Sequence, residues 1–273
     1  MITSTTSDYQ RYRYTIILLC IGYFIDFYDL TIFSASYTSI ISELFHITNV
    51  DQIQLLYLKI TNYHTAGIII GGILFGVLGD KFGRTIVIRY SILVYSISII
   101  LSCFITNIPL FILLRFLTGV GLAAEFATSS VLISEMLPQN IASSSTAWLY
   151  ICGILGGVTA TFLGGFSWKI MFLFGGVSGF ILYLMRRELF ESPLFQNMNK
   201  KIKKGNLYLM FYGYKNIKKT IRLTILIIPF YYLISVMFII PRYMQIDGDL
   251  SSLIHTLLIG CLFKYLIHAA RTV

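Results

Sequence analysis

The sequence carries little charge: only 12% of its 273 residues are Asp, Glu, Lys or Arg, and just 12 residues are acidic. A soluble domain has about 25% charged residues. Hydrophobic residues make up 56% of the chain, and the mean hydropathy is +0.78. The apolar segments also lack the polar faces that a soluble all-α protein would need. This composition excludes an ordinary soluble domain and predicts a polytopic membrane protein.

Cysteine is scarce, and its spacing excludes several kinds of chemistry. Each of the four cysteines stands alone in an apolar segment, so no metal or redox motif is present. The sequence also has no nucleophile–base pair and no phosphate-binding loop. We therefore predict no enzymatic activity, no cofactor and no metal site. The first apolar segment is too long for a cleavable signal peptide and is expected to stay in the membrane.

Long apolar runs define the organisation of the chain. A helix needs about 20 apolar residues to cross a bilayer. Segments near this length predict an all-α membrane protein with six helices, then a long basic connection, then about two more helices. The apolar segments are 14–36, 55–78, 85–105, 110–133, 147–166, 169–185, 220–241 and 252–270. The predicted units are a six-helix bundle over 1–185, a basic loop over 186–219 and a partial second bundle over 220–273.

The formal net charge of +9 comes mainly from basic residues in loops on one side of the predicted membrane. The largest group, which begins with Arg186 and Arg187, crowds the 186–222 connection. The positive-inside rule places this connection and the N-terminus in the cytoplasm. We interpret the charge as a topological signal rather than a nucleic-acid site. The lipid bilayer is thus a predicted partner, and the cell (inner) membrane is the predicted location.

Two aspartates interrupt the first apolar segment, in the stretch GYFIDFYDLTIF. Asp26 and Asp29 are three residues apart and share one face of a helix. At about 1.5 Å per residue they would lie about 18 and 22 Å into the membrane. Acids at that depth usually face a cavity, a partner charge or a proton path. A static buried pair, or an acid that is always protonated, is the alternative.

Two more charges lie in the fourth predicted helix. Arg115 would sit about 21 Å above the inner face, close to the depth of Asp29. Because arginine stays charged, it needs a counter-charge there, and Asp29 is a candidate. Glu125 would be buried about 24 Å from the outer face. It could bind a cationic group of a substrate, carry a proton or complete a local hydrogen-bond network.

The loop GVLGDKFGR between the second and third helices reads as a tight cytoplasmic turn. Gly83 would permit the bend, and Asp80 is expected near the start of the third helix, where a carboxylate suits the helix dipole. Two acids that follow later helices could pair with basic residues of this turn, so that several weak pairs would latch one conformation. The residues of this predicted gate are Gly76, Asp80, Lys81, Gly83, Arg84, Glu135 and Glu191.

Several motifs together resemble the major facilitator superfamily. GVLGDKFGR resembles its gating loop, RFLTGVGLAAEF its fourth-helix signature and ISEMLP the segment that follows. FSWKIMFLFGG and RRELFESPLF resemble the ends of the sixth helix in sugar porters and metabolite:proton symporters. FYDLTIF resembles the acid motif of proton-coupled members. The resemblance covers about residues 15–196.

This resemblance implies a fold and a function. It implies a superfamily-like N-terminal six-helix bundle plus the first one or two helices of a second bundle. By it, Asp29 matches the proton-coupling acid and Arg115 its partner. The implied function is proton-coupled symport of a small metabolite by alternating access. Members usually have twelve helices, so we expect a C-terminally shortened member. The alternative is a non-transporting remnant, or a half-bundle that needs a partner and acts as a sensor or assembly protein.

Overall fold

The computed structural model describes residues 6–163, 166–196, 205, 212–214, 216–222 and 225. The chain divides into two units, Met1–Gly205 and Asn206–Val273. All elements described below belong to the first unit. The predicted seventh and eighth helices lie outside the described residues, apart from 220–222 and 225.

Six long helices make up the first unit. They are α1 (Thr6–Phe45), α2 (Val50–Phe82), α3 (Arg84–Ser102), α4 (Ile108–Met136), α5 (Gln139–Leu163) and α6 (Trp168–Met185). A 3₁₀ turn, Arg186–Glu188, and the short helix α7, Pro193–Gln196, follow. Within the described residues, all six long helices have the length and apolar composition to span a membrane. The prediction of an all-α protein with an N-terminal six-helix bundle is confirmed.

Local sequence signals explain where two of these helices begin. The side chain of Asn49 accepts hydrogen bonds from the backbone N–H groups of Asp51 and Gln52, at 2.9 and 3.4 Å. Asn107 accepts one from Leu110 at 3.4 Å, and a proline follows in the first turn of α4. Asn is a preferred N-cap, and a proline in the first turn costs no intrahelical hydrogen bond.

The helices pack so that α1 and α4 hold the interior. The most extensive pairings join α2 with α4, α1 with α5, and α3 with both α4 and α6. Most of α4 is buried, whereas α2 and α5 bury the least of their apolar length. The main core draws aliphatic and aromatic residues from all six helices, with the largest share from α1, and it includes Tyr28, Tyr95 and Phe172. Charged residues of α1 and α4 therefore lie inside the bundle.

The loops between α2 and α3 and between α4 and α5, together with the end of α6, lie at one end of the bundle. Residues Arg84, Glu135 and Glu191 meet there. We call this end the Gly83 end. Along α1, Asp26 is nearer to it than Asp29, and along the antiparallel α4, Glu125 is nearer than Arg115.

Candidate functional site

The four charged residues predicted in the membrane interior are all buried in the bundle. Asp26, Asp29, Arg115 and Glu125 are each at most 1% exposed. Asp26 and Asp29 lie near the middle of α1, and the carboxylate oxygens of both lack a hydrogen-bond partner among the described residues. Such groups are costly to bury as anions without partners. The bundle thus encloses two acids whose charge is not neutralised by a direct contact.

Arg115 is held by aromatic rings rather than by a carboxylate. Its guanidinium carbon lies 4.6 Å from the ring centre of Phe33, 5.5 Å from that of Phe111 and 4.3 Å from that of Phe172. A guanidinium over an aromatic face is attracted by the ring quadrupole. Within the described part of the chain no salt bridge joins Arg115 to Asp29. The suggested direct pairing of these two groups is not present in this conformation.

Asp29 and Arg115 nevertheless border the same face of α6. A Cβ atom on Gly175 would lie 3.6 Å from Oδ1 of Asp29, and Phe172, one turn earlier, stacks on Arg115. The hydroxyl of Tyr28 donates to the carbonyl of Met171 at 3.3 Å and fixes α1 against this face. The carboxylate and the guanidinium therefore lie against neighbouring turns of the same helix.

A backbone contact ties Arg115 to α2 as well. His64 Nδ1 lies 2.9 Å from the carbonyl oxygen of Arg115. The two helices approach closely here, because a Cβ on Gly119 would overlap the backbone of His64. A movement of α2 would thus displace the backbone of Arg115 directly.

Glu125 has a partner that the sequence analysis placed elsewhere. Arg186 donates to both of its carboxylate oxygens, at 2.6 Å each, and its Nη2 also donates to the carbonyl of Leu18 at 3.1 Å. Ser129 donates to Glu125 at 3.2 Å. Arg186 is fully buried. The side chain of Arg186 therefore lies inside the bundle, although the sequence analysis counted this residue among the basic residues of the 186–222 connection.

Five of the seven predicted gating residues lie together at the Gly83 end, and Lys81 and Gly76 do not take part. At the Gly83 end, Arg84 pairs with Asp80 at 2.6 Å and with Glu135 at 3.4 Å. Lys81 is exposed and forms no ion pair with a described residue, and nothing lies within 4 Å of a Cβ on Gly76. The structure therefore brings five of the seven residues together, namely Asp80, Gly83, Arg84, Glu135 and Glu191.

Glu191, and not Asp80, caps the start of α3. Its carboxylate accepts hydrogen bonds from the backbone N–H groups of Arg84 and Thr85, at 3.0 and 3.1 Å, and from the hydroxyl of Thr85 at 2.8 Å. Asp80 lies in the last turn of α2. Gly83 joins the two helices at φ +108°, a conformation that favours glycine, and a Cβ there would overlap Glu191.

The sequence analysis missed several residues of the interior. Two of them, Phe33 and Phe111, stand four residues from Asp29 and Arg115 on the same helices, so helical spacing could have identified them. The inward position of Arg186 left no sequence signal. Gly22 also left none, although a Cβ on it would overlap Arg186 and lie 2.6 Å from Glu125.

Comparison with known proteins identifies the family. The profile of the Major Facilitator Superfamily matches residues 19–267. The chain belongs to this superfamily. The 4-hydroxybenzoate transporter PcaK of Acinetobacter baylyi is 32% identical over 183 residues, which are 64% of this chain and 38% of the relative. The sialic acid transporter NanX of Escherichia coli is 30% identical over 45% of this chain and 32% of its own length.

Solved structures show the same fold. A partially occluded, inward-open structure of the xylose transporter XylE from E. coli superposes with a TM-score of 0.65, at 16% identity, over 96% of this chain and 72% of the other. This superfamily member is therefore a multi-pass membrane protein whose relatives are transporters of small metabolites. It spans less than half the length of the curated relatives it matches.

Proposed function

We propose that the protein acts as a proton-coupled secondary transporter of a small metabolite, working by alternating access. The observation that carries this proposal is the pair of buried acids in the middle of α1, Asp26 and Asp29, whose oxygens lack hydrogen-bond partners among the described residues. A buried carboxyl group without a partner favours the neutral, protonated form. It can therefore take up a proton when the site is closed and lose it when water or a cation reaches it.

In the proposed mechanism Asp29 is the coupling acid and Arg115 its alternating partner. In the conformation described here, the aromatic rings hold Arg115 and Asp29 carries the proton. When α1 and α4 move relative to each other, Arg115 leaves Phe33 and approaches Asp29. The guanidinium then stabilises the anion and the proton is released. Protonation of Asp29 thus favours one arrangement of the helices and deprotonation the other.

The Gly83 end is proposed to be the cytoplasmic gate. Glu191, Arg84, Glu135 and Asp80 connect α2, α3, α4 and the segment after α6 while this end is closed. Opening the end requires these contacts to separate together. Each exposed pair contributes little, but the group stabilises one conformation. The proposed orientation, with the Gly83 end and the N-terminus in the cytoplasm of a cell-membrane protein, follows the distribution of basic loops.

The proposed substrate is a small metabolite, and a carboxylate is the first class to test. Some relatives are named as transporters of 4-hydroxybenzoate, benzoate or sialic acid, all of which are carboxylic acids. Others are named for niacin and nicotinamide or for proline and betaine, and a solved neighbour for xylose. Benzoate, 4-hydroxybenzoate, sialic acid and xylose are therefore the probes for uptake.

Uptake into proteoliposomes tests the proposal. Vesicles that contain the purified chain receive an inward proton gradient and one radiolabelled probe at a time. We expect Asp29→Asn to abolish proton-driven uptake while substrate exchange without a gradient persists, because exchange does not need proton release. Asp51→Asn, an exposed acid in the first turn of α2, is the matched control and should behave like the unmodified chain.

The outcomes separate the hypotheses. Full proton-driven uptake by Asp29→Asn would contradict the role of Asp29. If the chain alone moves none of the probes, but does so when it is co-expressed with a second half-bundle, the assembly alternative is correct. If neither preparation exchanges a probe, the non-transporting alternative is favoured.

A further inference from the structure

A second group of buried charges lies between Asp29 and the Gly83 end. It contains two carboxyl groups, Asp26 and Glu125, but only one guanidinium, that of Arg186. All three residues are at most 1% exposed. Arg186 neutralises Glu125 through two hydrogen bonds of 2.6 Å. Among the described residues, this pairing leaves Asp26 without a cation of its own.

Asp26 belongs to the same group of buried charges as that pair. Gly22, one helical turn before Asp26, is the point where both Glu125 and Arg186 touch α1. Asp26 interacts electrostatically with Glu125, Arg186 and Asp29, and with Tyr95 of α3. The hydroxyl of Tyr95 lacks a hydrogen-bond partner among the described residues. Charged or titratable groups therefore face Asp26 from α3, from α4 and from the end of α6, besides Asp29 on α1 itself.

The charges of this group determine how many protons it holds. A buried anion is tolerated when a cation pairs with it, and an unpaired one is strongly disfavoured. With one guanidinium for two carboxyl groups, one of the two acids has to carry a proton. In the described conformation this acid is Asp26, because Glu125 holds both arms of the guanidinium.

We infer that Asp26, Glu125 and Arg186 form a second proton-holding site, in which the proton is carried by whichever carboxyl group is not paired with Arg186. Arg186 already contacts α1 through Leu18, and Asp26 lies only about 6 Å further along the helix than Gly22. A proton that moves from Asp26 to Glu125 would free the guanidinium to pair with Asp26. The total charge of the three residues stays the same, and the proton is bound to Glu125 instead of Asp26.

This exchange would reach the Gly83 end directly. Arg186 is the first residue of the 3₁₀ turn after α6, and the N–H of Leu189 donates to its carbonyl at 3.2 Å. Glu191, which caps α3, follows two residues later. When the guanidinium of Arg186 moves from Glu125 to Asp26, the segment that carries Glu191 is therefore displaced as well. The role of this site in coupling rests on the proposed transport function, although its proton can be measured without transport.

Infrared spectroscopy of the purified chain in lipid vesicles at neutral pH measures that proton. A protonated carboxyl group has a carbonyl-stretch band that an ionised carboxylate lacks. We expect Asp26→Asn to remove one such band. We expect Glu125→Gln to remove the same band, although Asp26 is still present, because Arg186 then pairs with Asp26 and ionises it. A static Glu125–Arg186 pair beside an independent Asp26 predicts that the band persists in Glu125→Gln.

Two further variants complete the design. Asp51→Asn, in the exposed first turn of α2, should leave every band unchanged, and the helical amide band reports whether each variant is folded. Should Glu125→Gln fail to fold, Arg186→Gln tests the charge balance of the group, because Glu125 then also has to take up a proton and one band should be added.

The inference is overturned if Asp26→Asn removes no band, if the Asp26 band survives in folded Glu125→Gln, or if Arg186→Gln adds none. None of these results depends on uptake. Loss of the shared proton and failure of the proposed transport are therefore distinguishable.

Discussion

The cap that Glu191 places on α3 makes a quantitative prediction about stability. The first backbone N–H groups of a helix have no partner inside it, and Glu191 satisfies those of Arg84 and Thr85. Its Oε1 also accepts from the N–H of Ser192 at 3.0 Å, and its Oε2 accepts from the hydroxyl of Thr85. The carboxylate thus receives four hydrogen bonds, two at each oxygen, beside the positive end of the helix dipole.

Glu191→Gln should remove two of these four hydrogen bonds. An amide has only one acceptor oxygen, so its NH₂ group would face two of the four donors. The negative charge at the helix start would also be lost. Hydrogen bonds to charged groups contribute about 1.5 to 3 kcal/mol each, and a dipole interaction adds up to about 1 kcal/mol. Allowing for partial exposure of the site, we expect a loss of about 2 to 3 kcal/mol.

Thermal unfolding in detergent, followed with a thiol-reactive dye, measures this loss. Cys103 is buried in the bundle and becomes reactive when the helices separate. For a chain of this size, 1 kcal/mol corresponds to about 2 to 4 °C, so the melting temperature of Glu191→Gln should fall by about 4 to 12 °C. Asp80→Asn removes an acid at the same end whose side chain is 51% exposed, and should shift it by less than about 4 °C.

The comparison with Asp80→Asn separates the cap from a general effect of charge. If Glu191→Gln melts within about 1 °C of the unmodified chain, the cap does not stabilise α3 and the argument from its four hydrogen bonds is refuted. If Asp80→Asn is equally destabilising, net charge at the Gly83 end, and not the cap, is responsible.

Two further variants test the gate and the helix packing. Arg84→Ala, which loses the contacts with Asp80 and Glu135, should slow uptake without changing the order of preference among the probes; a changed order would contradict a gating role. Gly71→Ala should lower the melting temperature, because its Cβ would lie 2.7 Å from Cα of Val120 and overpacking costs about 1 to 3 kcal/mol. The neighbouring Gly72→Ala, with nothing within 4 Å, is the matched control, and equal melting of the two would refute close packing of α2 on α4.

The fold was predictable because hydrophobic length is a strong signal. Each of the first six apolar runs corresponds to one helix. The ends were less predictable: α1 continues to Phe45 and α2 begins at Val50, beyond the predicted 14–36 and 55–78. Polar residues are compatible with helix once the chain leaves the hydrocarbon, so a hydropathy boundary marks the membrane and not the helix end. Asn49 marks the real start of α2, through its cap.

The site was predictable only as far as burial. A charge in an apolar run has to be inside the bundle, and this reasoning located Asp26, Asp29, Arg115 and Glu125 without any structure. Their proposed roles in coupling stay predictions. Which charges pair depends on the rotation of each helix about its axis and on where the chain turns between helices. Neither can be read from the sequence of a single helix. The depth of Arg115 matches Asp29, yet the guanidinium rests among three aromatic rings in this conformation.

Arg186 illustrates why the pairing could not be derived from the sequence. It opens a stretch rich in Lys and Arg, and such a stretch is typical of an exposed cytoplasmic loop. One feature of the sequence was nevertheless unexplained, since Glu125, about 24 Å from the outer face, requires a cation and Arg115 had been assigned to Asp29. Among the described residues, three buried acids and two buried guanidiniums leave at least one acid that no guanidinium can pair with. A proton is the simplest species that can neutralise such an acid, and movement of the helices can change which acid carries it.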